Sequence, residues 1–149
     1  MIDILMIDDD SRFSEIAKAV LENAGYFVEI CDCPANAFPI LMERLPGLLI
    51  CDLHMPFTTG LDQNKYVTSF EAGIRTIREL RKAIPQVPIM AMSAAPQIDL
   101  DRIAEFIDPT PVLTKPSKPA DLVRLIENML DFGLIEDNLS GEESWARIN

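Results

Sequence analysis

Four apolar runs in this 149-residue chain each lead to side chains that could do chemistry. Ile2 to Ile7 ends on three consecutive carboxylates, Asp8, Asp9 and Asp10, and Leu48 to Cys51 ends on Asp52. Pro88 to Met92 ends on Ser93, and Pro111 to Leu113 leads to Lys115-Pro116. Neighbouring carboxylates repel one another and resist desolvation, so a buried strand that ends on them calls for a counter-charge. A hard divalent cation supplies one, and Mg²⁺ favours one or two carboxylates together with waters and a phosphate oxygen. A carboxylate nucleophile, a cation, a hydroxyl and an ammonium are the parts that in-line phosphoryl transfer needs.

These parts act together only if the elements carrying them bring the run ends to one place. Short and nearly uninterrupted apolar runs read as strands buried on both faces of a parallel sheet. A fifth run, Tyr26 to Asp32, alternates Val28 and Ile30 with Glu29 and Cys31, as a half-exposed edge strand does. Helical spacing fills the gaps. Phe13, Ile16, Ala17, Val20, Leu21 and Ala24 form one stripe that stops at Gly25, a residue suited to a left-handed helix end. Ala35 to Leu45 is a weaker helix, with Pro39 expected to kink it or delay its start. Ile74, Ile77, Leu80 and Ile84 mark a third helix, Ile98 to Ile107 a fourth, and Leu122, Leu125, Ile126 and Met129 a fifth that begins after Pro119. Five β-then-α units imply an α/β fold, a doubly wound five-stranded parallel sheet with helices on both faces. In such sheets the working site lies beyond the C-terminal ends of the strands, where all four chemical run ends fall.

The composition narrows the partners. Thirteen Lys and Arg against twenty-four Asp and Glu give a formal charge of -11, which repels nucleic acid and anionic membranes. Forty-eight per cent hydrophobic residues suffice for a packed core, so one globular domain is expected. Three cysteines without a disulfide pattern, and a Met1 that leads straight into a strand, point to a cytoplasmic protein. Cys31 and Cys33 lack a second Cys or His pair to complete a zinc site, since His54 is the only histidine.

The chain resembles the receiver domain of two-component response regulators over roughly residues 2 to 130. The matching elements are Asp8-Asp9, the segment Ile50-Cys51-Asp52-Leu53-His54-Met55-Pro56, the pair Ser93-Ala94 and Lys115-Pro116. The resemblance implies a flavodoxin-like sheet of order 2-1-3-4-5 in a stand-alone, chemotaxis-regulator-like receiver. It implies that Asp52 accepts a phosphoryl group from a phosphohistidine on a sensor histidine kinase or a histidine phosphotransfer protein. It further implies Mg²⁺ held by Asp9, Asp52 and the backbone carbonyl of His54, with Asp8 assisting through water. Ser93 would hydrogen-bond the phosphoryl group and Lys115 would pair with it, aimed by a cis-prone Lys115-Pro116 bond. The His54 imidazole is expected at the pocket rim, and Asp10 or Ser11 is expected to cap the first helix. Output would pass through protein–protein contact, without turnover of a separate substrate.

Three features depart from that family. The glycine that opens the third helix is expected at Gly60, yet the helical pattern resumes only after Gly73, so residues 61–73 read as an insertion. Within it Thr68-Ser69-Phe70-Glu71 has the capping-box form and predicts a helix start near Ser69. Val112 stands where many receivers carry a Tyr or Phe that rotates on activation. The receiver unit, residues 1–131, is followed by an acidic tail, 132–149, with Glu136, Asp137, Glu142 and Glu143 among Leu134, Ile135, Leu139 and Trp145. Two other functions fit parts of the pattern. A degenerate receiver would dock partners without phosphorylation. A small Mg²⁺-dependent aspartate phosphatase would use Asp8 and Asp10, in a motif similar to that of haloacid-dehalogenase phosphatases, although Arg12 stands where that motif has Thr or Val.

Overall fold

A computed structural model describes residues 2–56, 70–115 and 118–136, the side chains of 131–136 excepted. Five strands alternate with five helices: β1 (Ile4–Ile7), α1 (Ser11–Asn23), β2 (Val28–Cys31), α2 (Pro34–Glu43), β3 (Leu48–Asp52), α3 (Glu71–Ala83), β4 (Ile89–Ser93), α4 (Gln97–Ile107), β5 (Val112–Thr114) and α5 (Pro119–Glu136). The strands form one parallel sheet in the order β2-β1-β3-β4-β5. The chain order reverses beside β1, so the C-terminal ends of β1 and β3 flank the crevice where doubly wound sheets carry their sites.

Alternation of side chains along each strand sorts the core into two layers. Ile4, Met6, Leu48, Ile50, Met90 and Met92 meet Ala17 and Leu21 of α1 and Leu122, Ile126 and Met129 of α5. Leu5, Ile7, Leu49, Cys51, Ile89 and Ala91 meet Ala37 and Leu41 of α2, Ile74, Ile77 and Leu80 of α3, and Ile103 and Ile107 of α4. β1 and β3 are buried at every position, as their unbroken apolar runs require, and β2 lies at the sheet edge with a half-buried middle.

Several local expectations change. Ile16 is exposed, and Ser14 takes a place on the buried face of α1, its hydroxyl donating to the Ser11 carbonyl at 3.2 Å. A hydroxyl satisfied within its own helix can be buried at little cost, which a stripe drawn from apolar residues alone does not register. α2 starts at Pro34 rather than after a delay and continues through the exposed Pro39. α3 starts at Glu71 with Phe70 at the N-cap and no side-chain cap, so Glu71 is the first helical residue and not the third that a capping box needs. Gly25 has φ of 103°, the left-handed value expected at the end of α1.

Residues 57–69, which include Gly60 and most of the stretch read as an insertion, lie outside the described residues, as do Pro116 and residues 137–149. The Lys115-Pro116 bond therefore has no description; the cis peptide bond among the described residues joins Asp108 and Pro109. Gly73 sits in the first turn of α3 against the backbone of Leu53. A Cβ built there would fall on the Leu53 carbonyl oxygen and lie 2.6 Å from its Cα, so only glycine lets α3 approach the end of β3.

Candidate functional site

Each strand end delivers its side chain through its own backbone hydrogen bonds. The Asp8 N–H donates to the Cys31 carbonyl of the neighbouring strand at 2.9 Å, which extends the β1–β2 ladder by one residue before the chain turns into α1. The Asp8 carboxylate is 3% exposed; its Oδ1 accepts the Asp10 N–H at 2.9 Å and its Oδ2 lies 2.5 Å from Lys115 Nζ. Asp10 points elsewhere: its Oδ1 accepts the Phe13 N–H at 3.1 Å and caps α1, as expected for that position. Asp10 therefore stands on the helix cap and not in the cluster with Asp8, whereas the phosphatase alternative uses both carboxylates.

Asp52 closes β3. Its Oδ1 accepts the His54 N–H at 3.1 Å, and its Oδ2 stands 3.4 Å from Lys115 Nζ. Carboxylate oxygens of Asp8, Asp9 and Asp52 all lie within 4.8 Å of one another, with Asp8 and Asp52 buried and Asp9 half-buried. Lys115 is brought in by β5, its N–H donating to the Ser93 carbonyl at 2.7 Å, so the backbones of Ser93 and Lys115 are joined directly. Its ammonium also sits 4.4 Å above the centre of the Phe13 ring. That cation–π partner was not anticipated, because Phe13 has the spacing of a core residue. Its place in the first turn of α1, one turn after the acidic cluster, was the available signal.

The His54 imidazole departs from expectation. It is a buried group rather than one at the rim, and its Nε2 lies 2.7 Å from Ser93 Oγ. Ser93 is fully buried, and Oγ also accepts the Ala95 N–H at 3.0 Å. Val112 pairs with Ala91 in the β4–β5 ladder, and Ser93 pairs with Thr114.

The electrostatics follow from burial. Desolvation, and then the charge of Asp52, push the Asp8 carboxyl up to about 7 against the opposing pull of Lys115. Asp9 is raised for the same two reasons. For Lys115 burial acts downward, but Asp52 and Asp8 outweigh it and hold the ammonium protonated above its ordinary range. Among the described residues three carboxylates thus face one ammonium, an imbalance that a divalent cation would relieve. Their donors are all hard oxygens, as Mg²⁺ prefers. The three cysteines are buried and free, and burial pushes the Cys31 thiol up to about 11. No helix among the described residues is long and apolar enough to cross a membrane.

The sequence and the fold have known counterparts. The family model for the response regulator receiver domain matches residues 4–127. An uncharacterized 14.6 kDa protein in the sodA1 3'region of Leptolyngbya boryana is 30% identical over 125 residues, 84% of this chain and 87% of that protein. The response regulator receiver protein CpdR of Brucella abortus is 29% identical over 127 residues, 85% of this chain and 95% of CpdR. In three dimensions, the CheY-like response regulator receiver domain protein of Methanospirillum hungatei JF-1 has a TM-score of 0.73 at 20% identity, covering 91% of this chain and 98% of that one. A parallel sheet of order 2-1-3-4-5 with acids closing β1 and β3, a hydroxyl closing β4 and a lysine after β5, matched by the family model over most of its length, makes this chain a member of the response regulator receiver domain family.

Proposed function

We propose that the chain is a phosphoacceptor, receiving a phosphoryl group on Asp52 from a phosphohistidine on a sensor histidine kinase or a histidine phosphotransfer protein, and that it signals in the cytoplasm by binding another protein. The observation that carries this reading is the setting of Asp52: a buried carboxylate 3.4 Å from the Lys115 ammonium and clustered with Asp8 and Asp9. An Asp52 oxygen attacks phosphorus, a P–O bond forms, and the P–N bond of the phosphohistidine breaks with its electron pair left on the imidazole nitrogen. Lys115, already held by Asp8, lies where it can meet charge on a phosphoryl oxygen. The carboxylates of Asp8, Asp9 and Asp52 and the His54 carbonyl are the groups that would hold Mg²⁺. When bound, the ion neutralises these acids and draws a phosphoryl oxygen to them. Hydrolysis of the aspartyl phosphate returns the free carboxylate and inorganic phosphate, so the domain phosphorylates and dephosphorylates itself without acting as an enzyme on other substrates.

The domain reading accompanies this one: a receiver unit over 1–131, an insertion at 61–73 whose last three residues form the start of α3, and an acidic tail over 132–149 whose first five residues continue α5. Support for the insertion comes from Gly73, whose fit against Leu53 is the close helix–strand approach expected of the glycine that opens the third helix.

Incubation with Mg²⁺ and acetyl phosphate, followed by intact mass and a phosphate-retarding gel, tests the proposal. Wild type is expected to gain one acid-labile phosphoryl adduct and Asp52→Asn none. An unmodified wild type favours a docking module that works without phosphorylation, and an equal adduct in the variant places the acceptor elsewhere.

A further inference from the structure

The bond between His54 and Ser93 joins two residues that the phosphoacceptor reading assigns separate duties, one through its backbone carbonyl and one through its hydroxyl. Its geometry is specific. The imidazole Nε2 lies 2.7 Å from a hydroxyl oxygen with no exposure to solvent, and that oxygen already accepts the Ala95 N–H at 3.0 Å. A serine hydroxyl has one proton to give and two lone pairs to receive with. Ala95 occupies one lone pair. A phosphoryl oxygen only accepts, so it can be served only by the hydroxyl proton. If Nε2 also accepted, it would take that proton and Ser93 would have none to offer. If Nε2 carries a proton, it fills the second lone pair, and the hydroxyl proton is left for the remaining tetrahedral direction.

We infer that the His54 side chain is a positioning residue for phosphoryl capture: Nε2–H donates to Ser93 Oγ, fixes its rotamer with the help of Ala95, and leaves its proton for a phosphoryl oxygen on Asp52. The strands support this alliance. The Leu53 N–H donates to the Met92 carbonyl at 3.0 Å, and Asp52 pairs with Met92, so the residues just beyond β3 are held beside the last residues of β4. The inference rests on the phosphoacceptor reading and adds a role for a side chain that reading leaves idle.

The experiment is a double-mutant cycle on the rate of adduct formation from acetyl phosphate at saturating Mg²⁺, in the full chain, with urea midpoints to verify folding. His54→Ala and His54→Asn are each expected to slow adduct formation about tenfold, the effect of one positioned hydrogen bond. His54→Gln, whose amide N–H reaches the place of Nε2, is expected to stay within about threefold of wild type, which a general loss of packing does not predict. Adding His54→Ala to Ser93→Ala is expected to cost nothing further, because the two side chains act as a unit.

Rates that multiply in the double variant, a His54→Asn variant as fast as His54→Gln, or faster adduct formation in His54→Ala each overturn the inference. In the last case the imidazole competes with the phosphoryl group for Ser93. If His54→Ala does not fold, the Asn and Gln variants decide the matter. A wild-type protein that takes no phosphoryl group sinks the phosphoacceptor reading itself, whereas a multiplicative cycle in a protein that does take one sinks only the role of His54.

Discussion

The Asp8 carboxyl offers a sharp test of the electrostatics, because its burial has a calculable effect on stability. It ordinarily ionises near 3.8 and is pushed up to about 7 by burial and by Asp52. A carboxyl raised on folding binds its proton more tightly in the native state than in the unfolded chain. The native state is therefore favoured at low pH, and the advantage is lost as pH rises from 3.8 to about 7, above which nothing more is lost. The size of the loss is on the order of 4 kcal/mol in the metal-free protein, with a slope no steeper than about 1.4 kcal/mol per pH unit. Other acids contribute a background of the same sign, since a chain of net charge -11 repels itself more as it ionises.

The difference between wild type and Asp8→Asn removes that background. Urea denaturation of both proteins across this pH range, in chelator, should show wild type losing stability relative to the variant as pH rises. Saturating Mg²⁺ should restore it, more above pH 7 than below, because proton and cation compete for the same oxygens. A pH-independent difference, or a wild type that gains on the variant as pH rises, refutes the reasoning.

Other perturbations probe the parts one at a time. Gly73→Ala is expected to destabilise the fold by about 3 kcal/mol or more, read from the urea midpoint, because its Cβ meets Leu53 backbone rather than a side chain that can turn away; a loss below about 1 kcal/mol contradicts the close approach. Asp10→Ala should cost about 1 kcal/mol through the lost cap on α1 while leaving the acid-labile adduct in place, since its carboxylate faces Phe13 N–H and not the pocket. Lys115→Met should slow adduct formation from acetyl phosphate on the order of a hundredfold, the cost of losing a charge-matching donor at the transferring group, and an unimpaired rate would remove Lys115 from the site.

The sheet was legible because strands buried on both faces write themselves as continuous apolar runs, and because in a parallel α/β sheet every such run stops on the same side of the molecule. Asp8, Asp9, Asp52 and Lys115 could be gathered on that ground alone, with Ser93 beside them through its backbone bond to Lys115. Ile16 misled because periodicity counts apolar residues and cannot tell that a neighbouring serine will satisfy its own hydroxyl and turn the helix. Pro39 misled because its missing N–H matters less on an exposed helix face than propensity suggests. The burial of His54 and the ring of Phe13 beneath Lys115 depend on contacts between segments far apart in sequence, and no local pattern announces them.

The ion pair between Asp8 and Lys115 spans 107 residues, from the end of the first strand to just beyond the last. On a ribosome the acids of the cluster emerge long before Lys115, the cation that faces them among the described residues. A nascent chain that has made β1 through β4 holds Asp8, Asp9 and Asp52 but not Lys115, and the carboxylates repel one another until β5 docks. Closing so long a loop adds little entropy cost beyond that of a shorter one. The charges of the pocket are thus balanced only at a late, single moment of synthesis, and a truncated product that lacks β5 carries the acid cluster without the ammonium that faces it.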